Sequence, residues 1–581
     1  MSHNQSLRCL CVLISLCYIT SGGSTGPPFG TAADSPPART EWPLFNGTLD
    51  NQRYSDLTEI NRETVSRLQV KWTFLPSSSA SGGAFECTPV VWNGLIYVTS
   101  SFCEVFALNA KTGSISWTYE PKILSSSDTD SDANHRGVAV AYGKVYLATT
   151  DCRLIALDAK TGEPVQSFGD KGVVKIADFK KGYGETSPPT ISDGKVLIGM
   201  TGGEYPLRGF FSAYDANSGK LLWRWNTIPS PGERGGNTWP NNGSYKTGGG
   251  SAWMPAAVDK DRGLVIFGTG NPNPDFNGSR RAGDNLYTCC IVALDITTGK
   301  LRWHFQIVKH DLWDYDQAAS PILFDVERDG TKIAAVGVAA KTGWFYILDR
   351  ETGRSLLAAR EVAVPQSKFQ KTAQTQTMLD VPPFAEHRNI FTPPTRKGVL
   401  IAPGLYGGSE WSPVAYSPRT NLAYVTAIDR PVIFKSAPVE PVSKRRIVRG
   451  RMGGSYDSPA NPSGKGAFVA VDVNTGLIKW RRPTVPDSLA GSLATGGGLV
   501  FTGEAEGDFI ALEARTGERV WRFQCGASVN AAPMTFAAGS RQYIAVAVGG
   551  SGTNPVADIR KRYGSRQRSS AVFVFGLPDP D

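Results

Sequence analysis

Two carboxylates set two residues apart are the first sign of chemistry in this chain. The segment HDLWDYDQAASP, residues 310–321, carries Asp314 and Asp316. In an extended segment, residues i and i+2 face the same side. Carboxylates on one side repel unless a cation or a proton lies between them. For an arbitrary Asp-x-Asp, a solvated strand end would be the plain explanation. His310, at the head of the segment, reads as scaffolding rather than as a ligand. A hard cation needs more oxygens than one segment supplies. The rest of the chain must therefore bring distant donors to the same place.

A recurring phrase shows how that could happen. It reads FALNAKTGSISW at 106–117, IALDAKTGEPVQ at 155–166, SAYDANSGKLLW at 212–223 and VALDITTGKLRW at 292–303. Further copies are YILDRETGRSLL at 346–357, VAVDVNTGLIKW at 469–480 and IALEARTGERVW at 510–521, with a looser one, VAYSPRTNLAYV, at 414–425. Alternating apolar residues make a strand. An acidic or Asn residue followed by Thr-Gly makes a tight turn whose glycine accepts positive φ. A second strand then carries Trp117, Trp223, Trp303, Trp480 or Trp521, while Gln166 and Leu357 break the rule. Another hairpin precedes most copies, as in VVWNGLIYVTS at 90–100. Two hairpins per repeat make a four-stranded sheet, and such sheets repeated around an axis form a propeller. The expected fold is therefore all-β, an eight-bladed β-propeller with tryptophan-docking motifs over residues 41–581.

Composition agrees. Apolar residues make up 41% of the 581, enough for a core. Charged residues are only 19%, which argues against coiled coil and long amphipathic helices. The net charge of +9 is small for this length. Basic runs at Lys444–Arg451 and Arg560–Arg568 read as solvated loops or a docking face for an acidic protein. No nucleic-acid motif accompanies them, so no nucleic-acid partner is expected. Arg8 followed by the apolar run Cys9–Ile19 reads as a signal peptide over residues 1–23, too short to span a membrane. Residues 24–40 read as a linker. No integral membrane segment is expected, and the mature chain should be exported, to the periplasm. No CxxCH occurs, so no attached c-type haem is expected. Cys87 and Cys103 flank one hairpin and are candidates for a disulfide.

The docking repeat and the opening segment EWPLFNGTLDNQRYSDLTEINRETVSRLQVKW, residues 41–72, resemble those of the pyrroloquinoline quinone (PQQ) dehydrogenases, alcohol-oxidising members included. HDLWD matches the active-site motif of that family. The resemblance implies that Asp314 is the catalytic base. It implies metal ligands at Glu204 in TGGEYPLRG, Asn271 in FGTGNPNP, Asp314 and Asp316. Alone, Glu204 and Asn271 would pass for turn residues. It implies that Trp253, in GGGSAWMP, stacks on PQQ, with Ser251, Arg136, Thr186, Glu86 and Lys341 as further cofactor contacts. The second carboxylate, Asp316, favours one lanthanide ion, with Ca²⁺ as the alternative. The implied reaction is metal-assisted hydride transfer from a small primary alcohol to PQQ, with electrons passed to a separate c-type cytochrome. A homodimer is compatible with this reading.

The chain also departs from the family pattern. Asp130 and Ser131 stand where many alcohol-oxidising relatives have adjacent cysteines. Cys289 and Cys290 are adjacent but fall in another repeat, where they read as structural. Glu410, in YGGSEW, takes a place where Asn is common. The alternatives are a PQQ-dependent sugar or polyol dehydrogenase and a non-catalytic propeller scaffold.

Overall fold

The computed structural model describes residues 40–76, 85–124, 134–438, 453–459, 464–486, 488–549 and 570–579. The expected signal peptide, nearly all of the linker, both basic runs, Asp130 and Ser131 lie outside them. The described residues form strands joined by turns and short 3₁₀ segments such as Val65–Arg67.

Eight sheets follow one another along the chain. Antiparallel four-stranded sheets occupy residues 90–119, 139–175, 190–226 and 257–306. A three-stranded sheet follows at 322–349, then four strands at 415–484 and four at 492–524. The last takes three strands from residues 534–576 and a fourth, Gln69–Phe74, from the other end of the sequence. Gln69 pairs with Gly576 and Phe74 with Val572. Tyr54–Ser55 adds a parallel edge to the 492–524 sheet. Two smaller sheets lie in the long connections, one of Ala359–Ala363 with Thr375–Leu379, the other centred on Val432–Ser436.

The looser repeat copy at 414–425 is corrected here. It contains Ala415–Ser417 and the start of Leu422–Asp429, the first two strands of a sheet whose outer pair is the copy at 469–480. The eighth sheet comes instead from the two chain ends, which carry no copy of the phrase. Turn residues alone do not distinguish an inner hairpin from an outer one.

The repeat phrase acts as anticipated. In the seven full copies the acidic or Asn residue caps its own turn: Asp158 Oδ1 accepts from the backbone N–H of Lys160 and Thr161 at 2.9 and 3.0 Å, and Asn109 Oδ1 does the same for Lys111 and Thr112. The tryptophan then docks on the turn of the next repeat. Trp117 Nε1 donates to Ala159 O at 3.1 Å, Trp223 to Ile296 O at 3.0 Å and Trp303 to Arg350 O at 2.9 Å. Trp72, outside the repeat phrase, does the same to Ala110 O at 3.2 Å. Where the rule breaks, other apolar groups substitute. Leu357 packs on Gly476, and Phe168 with Val174 packs on Gly219.

The core lies between neighbouring sheets. Phe211 stacks on Phe267 at 4.0 Å, and Phe324 on Tyr416 at 5.0 Å, each pair joining two sheets. Central strands such as Leu264–Gly268 are buried on both faces and read as continuous apolar runs. Outer strands such as Leu221–Asn226 face solvent.

Candidate active site

The first strand of each sheet runs antiparallel to the second. The loop entering the first strand and the loop leaving the second therefore share one end of the sheet. Every expected site residue lies on one of these loops. Glu86, Arg136, Thr186, Ser251, Trp253, Asp314 and Asp316 precede first strands; Glu204, Asn271 and Lys341 follow second strands. Bridges between the loops of neighbouring sheets draw them together, as Met200 with Ala252 and Arg208 with Gly249.

Lys341 is the hub. Its ammonium lies 2.5 Å from Asp316 Oδ1, 3.5 Å from Asp314 Oδ2 and 3.6 Å from Glu410 Oε1. It also donates to the Asp314 carbonyl at 2.8 Å. The YGGSEW loop rests directly on it. A Cβ at Gly407 would come within 2.3 Å of Lys341 Cα, and Gly408 N donates to Lys341 O at 2.7 Å. Glycine at 407 is what lets Glu410 reach the cluster. Trp253 Nε1 donates to Asp316 Oδ2 at 2.9 Å, which fixes the carboxylate against the indole edge.

Burial pushes the Asp314 carboxyl well above the usual range; Lys341 opposes this, while Asp316, Asp275 and Glu204 add repulsion. Burial alone would lower Lys341, but Asp314, Asp316 and Glu410 outweigh it and hold the ammonium well above its ordinary value. Asp314 itself sits at φ 62°, in the left-handed region. This conformation is uncommon for a non-glycine residue and clusters at functional sites. Asp311 supports it, its Oδ1 accepting from Trp313 N and Tyr315 N at 3.2 Å each. His310 serves the scaffold: Nδ1 is 2.6 Å from Gly283 O, and the ring packs against Gly278.

A second group faces Trp253. Arg136 pairs with Glu86 at 2.8 Å and donates to Thr186 Oγ1 at 2.8 Å. Its guanidinium lies 5.1 Å from the Trp253 ring centre and 4.6 Å from that of Trp411. Arg136 Nε is buried without a hydrogen-bond partner among the described residues. That spare cationic donor beside an indole suits a flat, carboxylate-bearing cofactor such as PQQ. Trp411 was not foreseen; its position directly after Glu410 was the available signal.

The metal set also fits its task in part. Among the described residues, no group of three His, Cys, Asp or Glu side chains forms a ready metal cage. The candidate ligands instead include an amide, Asn271, whose Oδ1 borders a space kept by Gly203. A Cβ at Gly203 would lie 3.0 Å from Asn271 Oδ1 and 3.1 Å from Ser251 Oγ. Glu204 follows directly and repels Asp314. Five buried or half-buried carboxylates, Glu204, Asp275, Asp314, Asp316 and Glu410, share this region with Lys341. Such a concentration of carboxyl oxygens suits a hard cation of high charge.

The cysteine expectation is corrected. Cys87 and Cys103 are buried free thiols. Burial raises them to about 11 and about 12, as suits inert core groups. Cys87 Sγ instead accepts from Thr99 N at 3.3 Å. Cys289 and Cys290 are likewise buried and free.

Comparison with known proteins follows the same line. The family model described as "PQQ: Glucose/ethanol/alcohol dehydrogenase, beta-propeller domain" matches residues 42–389 and 385–544. The quinoprotein alcohol dehydrogenase PedH of Pseudomonas putida is 31% identical over 558 residues, spanning 91% of this chain and 90% of PedH. The quinohemoprotein alcohol dehydrogenase of Comamonas testosteroni is 34% identical over 568 residues, spanning 93% of this chain and 76% of that protein. Its crystal structure aligns with a TM-score of 0.79, covering 94% of this chain and 82% of that one. A europium-containing methanol dehydrogenase, 28% identical, aligns with a TM-score of 0.78 over 93% of this chain and 99% of that one.

Proposed function

The chain belongs to the family of PQQ-dependent alcohol dehydrogenases, and from that premise we propose that it oxidises a primary alcohol to an aldehyde with Asp314 as the base. The carrying observation is the cluster in which Lys341 touches Asp314, Asp316 and Glu410 while Trp253 holds Asp316. Trp253, Arg136, Thr186, Ser251, Glu86 and Lys341 would hold PQQ. Glu204, Asn271, Asp314 and Asp316 would hold one lanthanide ion, or Ca²⁺. When bound, PQQ supplies the two-electron acceptor and the metal a Lewis acid.

The protein's own residues do the rest. Asp314 accepts the hydroxyl proton as general base. Lys341 holds a fixed positive charge that would stabilise the negative charge developing on the quinone oxygens of bound PQQ. Arg136 offers donors to a carboxylate, and the Trp253 face excludes water.

The blade count of eight rests on the eight successive sheets, and the domain on residues 41–581 as one propeller. The compartment we propose is the periplasm. The acceptor we propose is a separate c-type cytochrome. Among the described residues, no helix is long and apolar enough to cross a membrane.

The test is phenazine-dye reduction by the purified apo-protein with PQQ and ethanol, comparing Ca²⁺ with La³⁺. Activity with La³⁺ alone supports the lanthanide site. Activity with Ca²⁺ alone keeps the dehydrogenase and removes Asp316 from the ligands. Asp130 and Ser131, in place of adjacent cysteines, favour a sugar or polyol as the second reading. A substrate panel separates the two, and inactivity towards every alcohol overturns the first.

A further inference from the structure

Asp275 went unnoticed in the sequence, where FGTGNPNPD looks like a proline-rich turn. In the structure it is fully buried. Its Oδ1 accepts from Asn271 Nδ2 at 2.8 Å. Its Oδ2 is buried with no hydrogen-bond partner among the described residues. Arg281 is close but committed elsewhere. It donates to Pro274 O at 2.9 Å, Asn285 Oδ1 at 2.8 Å and the Asp311 carbonyl at 2.6 Å. It reaches only the backbone oxygen of Asp275, at 3.5 Å.

A buried carboxylate left half satisfied is costly unless a cation compensates it. Its other oxygen decides how the neighbouring amide is turned. Asp275 Oδ1 is the acceptor of this bond, so Asn271 points its NH₂ at Asp275. The amide oxygen is thereby directed to the opposite side, towards the space kept beside Gly203 and Ser251.

We propose that Asp275 is a positioning residue of the metal centre that also sets its charge preference. It holds the Asn271 oxygen towards the ion. Ionised opposite a bound cation, it would also place a negative charge behind that ligand, which attracts a trivalent ion more strongly than a divalent one. The inference rests on the metal reading of Glu204, Asn271, Asp314 and Asp316.

The test reads binding rather than turnover. Tryptophan-sensitised Tb³⁺ luminescence is titrated into the full-length protein, and Ca²⁺ affinity is measured by competition. Asp275→Asn keeps an acceptor for Asn271 but removes the charge. Asp275→Leu removes both. We expect Asp275→Asn to weaken Tb³⁺ binding by about 10- to 100-fold and Ca²⁺ binding by less. Asp275→Leu should weaken both ions further. Unchanged Tb³⁺ affinity in a natively folded Asp275→Asn variant overturns the inference, as does an equal loss for both ions. If Asp275→Leu does not fold, the Asn variant decides alone. A wild-type protein that binds neither ion overturns the metal reading itself, and this inference with it.

Discussion

At the scale of the residue, Asp314 combines a strained backbone, burial and a lysine contact. Asp314→Asn keeps the shape but removes the base. It should lower kcat by about 10²- to 10⁴-fold while leaving the thermal midpoint within a few degrees. Steady-state kinetics beside calorimetry checks this. Glu185 gives a separate prediction, away from the carboxylate cluster. It is 2% exposed, and its Oε1 has no hydrogen-bond partner among the described residues. Burial raises its carboxyl well above the ordinary value, with Arg224 opposing. The unfolded chain thus gives up this proton at lower pH than the folded one. The contribution to stability is full below the ordinary glutamate range and is lost as pH rises towards the raised folded value. Glu185→Gln should flatten that decline, making the variant more stable than the parent at pH 8 and no more stable at pH 4. Thermal midpoints across pH decide it.

At the scale of the element, the Thr-Gly turn is a socket for the previous sheet's tryptophan. Gly353 has φ +71°, and a Cβ there would lie 2.5 Å from Trp303. Gly330 has nearly the same φ, +74°, with nothing within 4 Å. Both substitutions to alanine incur backbone strain, but only Gly353→Ala also dislodges a docked ring. It should cost about 1–3 kcal/mol more than Gly330→Ala, measured by denaturant unfolding. Equal losses would mean that the turn conformation alone matters. The site depends on the same sockets, because each one holds a sheet whose end loops carry Asp314, Lys341 or Trp253.

At the scale of the whole molecule, closure relies on the opening segment. Gln69–Phe74 completes the last sheet, and Arg53 ties that segment to two others. Arg53 is fully buried and donates to Phe45 O at 2.5 Å, Pro533 O at 2.5 Å and Ser492 O at 2.8 Å. Burial lowers its guanidinium to about 9. Arg53→Met would orphan three buried carbonyls, each worth about 1–3 kcal/mol. Arg53→Lys should recover only part of that loss, since an ammonium lacks the planar fork. Urea unfolding of the two variants is the measurement.

Local patterns were legible from the residues alone. Alternation and the Asp-Thr-Gly turn marked the sheets, and spacing marked four docking tryptophans, Trp117, Trp223, Trp303 and Trp480. The Asp-x-Asp pair was visible because its members are near neighbours in sequence. Strand and turn preferences act over a few residues, so a single segment displays them. Tertiary structure decided what depends on partners far along the chain. Residues 414–425 became an inner hairpin, and the chain ends made the eighth sheet, because pairing follows which edges are free rather than turn composition. Cys87 and Cys103 are separate buried thiols of one core cluster. Lys341 acquired Glu410 as a partner because Gly407 leaves room for a loop to lie on it. Asp275 gained its significance only when folding buried it against Asn271 and left one oxygen unmatched, a relation of geometry and desolvation that no spacing encodes.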